Sequence, residues 1–74
     1  MARITLYGRD GCHLCDDARA VLQRIGEPFD EVDITTDPEL EMEYTERIPV
    51  IMLDGKEHGY WRVEKERLIR DLAK

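Results

Sequence analysis

Apolar and polar positions alternate through residues 3–7, with Ile4 and Leu6 on one side and Thr5 and Tyr7 on the other. That period of two predicts a short strand. Residues 8–11 hold glycines and charges and read as a loop. From residue 12 the period changes. Leu14, Ala18, Val21, Leu22 and Ile25 recur at helical spacing, and Gly26 supplies a C-terminal stop. Pro28 turns the chain. Residues 29–34 form a second predicted strand, whose Asp30, Glu31 and Asp33 suit an edge, where charges block unwanted pairing.

Asp37-Pro38 is a helix start, a capping side chain followed by proline at the first helical position. The helix runs to residue 45 with a weak apolar face of Leu40, Tyr44 and Met42. Pro49 precedes the continuous apolar run Val50-Ile51-Met52-Leu53, which predicts a central strand covered on both faces. Asp54-Gly55 is a hairpin dipeptide, with residues 56–59 as the returning strand. Residues 63–73 close the chain as a helix with Leu68, Ile69 and Leu72 on one face. The order is β-α-β-α-β-β-α. A helical crossover makes the first two strands parallel and right-handed, and the last two form an antiparallel hairpin. The predicted class is α/β, a four-stranded mixed sheet with helices on its faces.

With 74 residues the chain has room for one domain, spanning residues 1–74. A domain of this size buries only about 60% of its unfolded surface, so its core is marginal. The net charge of -6, from 17 acidic and 11 basic residues, repels phosphate backbones and argues against nucleic acid as a partner. No apolar run reaches membrane-spanning length, and a strand from residue 3 leaves no room for a signal peptide. The expectation is a monomer in the cytoplasm, where thiols stay mostly reduced.

The two cysteines, Cys12 and Cys15, open the first predicted helix behind the first strand. Positions three apart share a helix face. Cys12 at the helix N-terminus meets free backbone N–H groups and the positive end of the helix dipole, which favour the nucleophilic thiolate. Asp16 and Asp17 oppose this by repulsion, which predicts an activated but not extremely acidic thiol. Cys15, one turn deeper, can attack a mixed disulfide formed at Cys12 and leave an internal disulfide. A self-contained zinc site lacks ligands, since only His13 and His58 remain and His13 lies between the cysteines. His13 either favours the thiolate as a nearby imidazolium or points to solvent.

At this point the chain resembles the glutaredoxin branch of the thioredoxin superfamily. The resemblance rests on Cys12-His13-Leu14-Cys15 after the first strand, on Arg47-Ile48-Pro49 before the hairpin, and on the element order. Small bacterial glutaredoxin-like proteins read similarly through GCHLC, EVDI, PEL, RIPVIMLDG and the final RL. The resemblance implies a thioredoxin-like fold and a thiol-disulfide oxidoreductase with Cys12 as nucleophile and Cys15 as resolver. It implies that Pro49 is cis and faces the cysteines, leaving the Ile48 backbone free to pair with an extended substrate. Arg9 stands where glutaredoxins carry a basic residue. It either meets a substrate carboxylate or the thiolate, or is a solvated loop arginine.

Two departures stand beside this. Arg47 replaces the threonine of the family's Thr-Val-Pro motif. Where glutaredoxins carry a Gly-Gly pair and an Asp that hold the γ-glutamyl end of glutathione, this chain reads His58-Gly59-Tyr60-Trp61-Arg62-Val63-Glu64. Tyr60, Trp61 and Arg62 then shape a surface for a protein or another thiol, or Trp61 packs as core at the start of the last helix. The implied partners are a disulfide-containing protein or a small-thiol mixed disulfide, with no bound cofactor and with glutathione or another low-molecular-weight thiol as co-substrate. Two rivals remain. One is a redoxin-type electron donor recharged by a flavoprotein reductase. The other is a non-enzymatic module whose cysteines hold a metal or partner between subunits.

Overall fold

Ile4, Leu6 and Gly8 are buried while Thr5 and Tyr7 are half-buried, so the alternation in the sequence becomes β1 (Ile4–Gly8). The structure, a computed structural model, describes residues 2–73. Cys12 caps α1 (His13–Ile25), which buries Cys15, Ala18 and Leu22 and ends at Gly26 with φ 82°. A residue in this left-handed region ends the helix because its N–H turns back to the Leu22 carbonyl. β2 (Phe29–Asp33) follows, one residue shorter than predicted, because Ile34–Thr36 form a 3-10 turn capped by Asp33. Asp37 then caps α2 (Pro38–Tyr44), its carboxylate accepting the Glu39 N–H.

The sheet order is β2-β1-β3-β4, with β3 spanning Val50–Leu53 and β4 spanning Lys56–Tyr60. β2 lies at an edge parallel to β1, and β3 is inner and antiparallel to both β1 and β4. Asp54 and Gly55 both take positive φ, 52° and 82°, as a two-residue hairpin turn of matching twist requires. α3 (Lys65–Leu72) closes the chain. The core forms where Ile4, Leu6 and Ile51 of the sheet meet Ala18 and Leu22 of α1 and Leu68 of α3. On the other face the Tyr7 ring stacks on Tyr44 of α2 at 5.1 Å.

Four expectations differ. Leu14 is 50% exposed and Ile69 45% exposed, so neither joins the core. In α3 the buried seam runs through Leu68 and Leu72, four residues apart; Ile69 lies one step, about 100°, around the helix. α3 starts at Lys65 rather than residue 63, because Val63 packs against the core from the preceding connection. β3 is fully buried only at Val50 and Ile51. Arg3 ties the termini together. Its guanidinium grips Asp54 in the hairpin turn and donates to the Leu72 carbonyl at the end of α3.

Leu22 is 0% exposed at the centre of this core. Leu22→Ala should lower the unfolding free energy by about 3 kcal/mol in urea titration, a large share of a small domain's total. A loss under about 1 kcal/mol would place Leu22 outside the load of the core.

Candidate dithiol site

The two thiols are set by one strand end and one helix start. Cys12 has extended backbone angles (φ -96°, ψ 111°) and takes the capping position of α1. Its sulfur accepts the Cys15 N–H at 3.2 Å, and its carbonyl accepts the Asp16 N–H at 3.1 Å. A sulfur thus stands where a Ser or Asp oxygen usually satisfies one of the helix's free donors. That donor reaches the Cys12 sulfur at the N-terminal end of α1. Cys12 is half-buried, Cys15 is buried, and both are free thiols.

Cys15 sits over the end of β1. A Cβ on Gly8 would stand 2.9 Å from the Cys15 Sγ, so only glycine leaves room for the thiol there. Burial pushes the Cys15 thiol from 9.0 up to about 11, helped by its hydrogen bond with Cys12 and opposed by a backbone hydrogen bond at Arg9. The Cys15 thiol is therefore protonated near neutral pH. A pocket of about 130 Å³ reaches it, lined among others by Gly8, Arg9, Asp10, Arg19 and Asp33. Asp16, the carboxylate in the first turn of α1, is compensated. Arg19 binds it at 2.9 Å and also forks onto Glu31 at 2.7 Å. Arg19 holds Glu31 below the ordinary carboxylate range.

The segment before β3 reaches the same end of the sheet. The Ile48–Pro49 bond is cis and Pro49 is fully buried. Val50 pairs with Tyr7, so Pro49 falls opposite Gly8, the residue beneath Cys15. Trp61 grips this segment. Its N–H donates to the Pro49 carbonyl at 2.7 Å, and its indole Nε1 donates to the Glu46 carbonyl at 3.1 Å. Trp61 has φ 71° and is 55% exposed, so it is not core at the start of the last helix. Tyr60 meets its ring edge-on at 5.1 Å.

The other predicted residues divide. His13 is exposed on the first turn of α1, and Arg9 is exposed and lines the Cys15 pocket. Arg47 is engaged within the fold: it pairs with Glu43 and Glu57 and lies over the Tyr44 ring at 5.1 Å. His58 is taken up by Asp71 at 2.8 Å. Among the described residues no three His, Cys, Asp or Glu side chains gather into a metal-holding group, and no helix is long and apolar enough to cross a membrane. Two features escaped the sequence: the close approach at Gly8, and a groove joining Leu14 to Trp61. A glycine ending the strand before C-x-x-C, and an apolar residue between the cysteines, were the available signals.

The sequence profile describing the glutaredoxin-like domain matches residues 3–73. An uncharacterised protein of Mycobacterium tuberculosis is 36% identical over 81 residues, covering 97% of this chain and 84% of the relative. A crystal structure of a structural-genomics target protein from X. campestris is 39% identical, covers 95% of each chain and superposes with a TM-score of 0.80. The Escherichia coli glutaredoxin-like protein NrdH-redoxin, 22% identical, shares the fold with a TM-score of 0.72 over 95% of this chain and 93% of its own. The sheet order, the helices and these likenesses make the fold thioredoxin-like.

The burial of Cys15 has a pH signature. Above the ordinary thiol value an unfolded chain releases the Cys15 proton while the folded chain keeps it until about 11. Stability is therefore fully present below that ordinary value and falls as pH rises towards about 11. Urea titration of the reduced protein should show this fall, and Cys15→Ala should flatten it. In native protein near neutral pH, iodoacetamide should modify Cys12 well before Cys15. Equal labelling of both by peptide mapping would contradict the burial of Cys15.

Proposed function

The chain belongs to the glutaredoxin-like domain family, and from that premise we propose that it is a small thiol-disulfide oxidoreductase working through Cys12 and Cys15. The observation that carries this reading is the unequal placement of the two thiols: one sulfur capping a helix start, the other protonated and buried one turn behind it. The Cys12 thiolate attacks a substrate disulfide. One substrate sulfur leaves as a thiolate and takes up a proton, and the other stays bound to Cys12. Cys15 then gives up its proton and attacks the Cys12 sulfur. The Cys12–substrate bond breaks, the second substrate thiol leaves, and a Cys12–Cys15 disulfide remains. The dithiol has lost two electrons and the substrate has gained them.

In this reading the Ile48-Pro49 backbone is the platform for an extended substrate, a case of strand addition. Arg9 and His13, from the loop and the first helical turn, and Tyr60 and Trp61, from the end of β4 and just after it, contact the substrate in the same reading. Arg47 acts at one remove by holding the segment that carries Ile48. The working protein is a cytoplasmic monomer with no bound cofactor. Glutathione or another low-molecular-weight thiol returns the electrons. A second reading keeps the chemistry but recharges the dithiol from a flavoprotein reductase. It is favoured by Tyr60-Trp61 after a single glycine, Gly59, where glutaredoxins carry a glycine pair, and by the likeness to NrdH-redoxin, a glutaredoxin-like protein with a thioredoxin-like activity profile.

Cys15→Ser should trap a mixed disulfide between Cys12 and an added disulfide substrate, seen as a mass adduct that dithiothreitol removes. Cys12→Ser should give no adduct and lose at least about 100-fold in disulfide reduction. No adduct with protein, peptide or glutathione disulfides, together with a stoichiometric metal in the wild type, would replace this reading with that of a metal-holding module.

A further inference from the structure

On the face of α1 that carries Leu14, the residue between the two cysteines, lies a groove of about 110 Å³ between α1 and the β4–α3 connection. Its walls are Leu14, Ala18, Val21, Trp61 and Val63, with Asp17 and Arg62 also lining it. Resting on the oxidoreductase reading, we infer that this groove seats an apolar side chain next to the cysteine of a protein disulfide. It thereby selects protein substrates over glutathione.

The first argument is exposure. Leu14 and Trp61 are 50% and 55% exposed, yet they border one groove. Neither joins the core cluster. Leu14 lies between the two cysteines, so the groove begins one residue from Cys15 and two from Cys12. The second argument is that Trp61 is held in place. A bulky side chain in the left-handed region is sterically costly and persists only where its surroundings fix it. Here the φ of 71° is fixed by two hydrogen bonds, from the backbone N–H to Pro49 and from the indole N–H to Glu46. With its only polar atom satisfied, the ring offers the groove an apolar surface.

The third argument decides the occupant. A substrate joined to Cys12 through sulfur is tethered, so residues next to its cysteine must lie over the adjoining surface. Glutathione brings two carboxylates and an ammonium group there, and no apolar side chain. Of the groove's residues only Asp17 and Arg62 are charged, Arg62 lies 3.6 Å from Glu64, and the rest of the lining is apolar. Its lining instead complements a leucine-sized group. At about 110 Å³, below the roughly 150 Å³ cavity that admits benzene, the groove fits one side chain rather than a helix.

The test uses Cys15→Ser full-length protein and short cysteine peptides activated as nitrothiophenyl disulfides, so that leaving-group reactivity is matched. One peptide carries Leu beside its cysteine, one carries Ser, and glutathione is activated likewise. The Leu peptide should form the mixed disulfide about tenfold faster than the other two. The chain has one tryptophan, so Trp61 emission should shift on trapping the Leu peptide and not the Ser peptide. Adding Val21→Ser should bring the Leu and Ser rates together. Equal rates for both peptides in the Cys15→Ser protein, or faster capture of glutathione, would overturn the inference while leaving the oxidoreductase reading intact. No reaction with any of the three would overturn that reading itself.

Discussion

Gly8 ends β1 where the first turn of α1 crosses the sheet, and any side chain there would come within 2.9 Å of the Cys15 sulfur. Much else follows from this close approach. It lets α1 settle low enough for Ala18 and Leu22 to reach Ile4 and Leu6, so the core and the thiol seat share one geometry. It also removes Cys15 from water, and desolvation of a thiolate is what raises its pKa. A substitution at Gly8 therefore acts on packing and on the Cys15 thiol together. The same contact explains why Cys15 is buried although it lies three residues from the half-exposed Cys12.

The two thiols are kept unequal by different forces. Cys12 gains from local structure: its sulfur receives a helix N–H donor and sits at the positive end of the α1 dipole. Cys15 loses from burial and from its neighbour, since charge on Cys12 makes charge on Cys15 costlier. The acidic residues of the first turn would blur this contrast if left bare. Arg19 prevents that for Asp16 by bridging it to the α1 side of β2 through Glu31. Exposed ion pairs contribute little to stability singly. Here the pairing counts for the field it removes from beside a thiol.

The sheet and the helices were legible because each element carries its own local signal. Alternation marked β1, Asp37-Pro38 marked α2, Asp54-Gly55 marked the hairpin, and the charges of β2 marked an edge. Cys12 and Cys15 were legible through spacing and context. What periodicity could not show was which apolar residues leave the core. Leu14 and Ile69 fit a helical face in sequence, but each lies outside the stripe that meets the sheet. The placement of Trp61 was illegible for another reason. Its position follows from a backbone in the left-handed region and from carbonyls at residues 46 and 49, none of which has a sequence pattern.

Those contacts give the segment before β3 its rigidity. Arg47 donates its N–H to the Tyr44 carbonyl and its guanidinium to Glu43 and Glu57. Tyr44 meets both that guanidinium and the Tyr7 ring at 5.1 Å. From the other side Trp61 takes the carbonyls of Glu46 and Pro49. Residues 44–49 are thus fastened to α2, to β4 and to the connection before α3. Ordering a loop on association costs free energy that a preformed edge does not. A pair of glycines at positions 60 and 61 would supply neither the indole donor nor the ring contact. Trp61, with Tyr60 against its ring, therefore fills space after β4 and also fastens the stretch of backbone before β3.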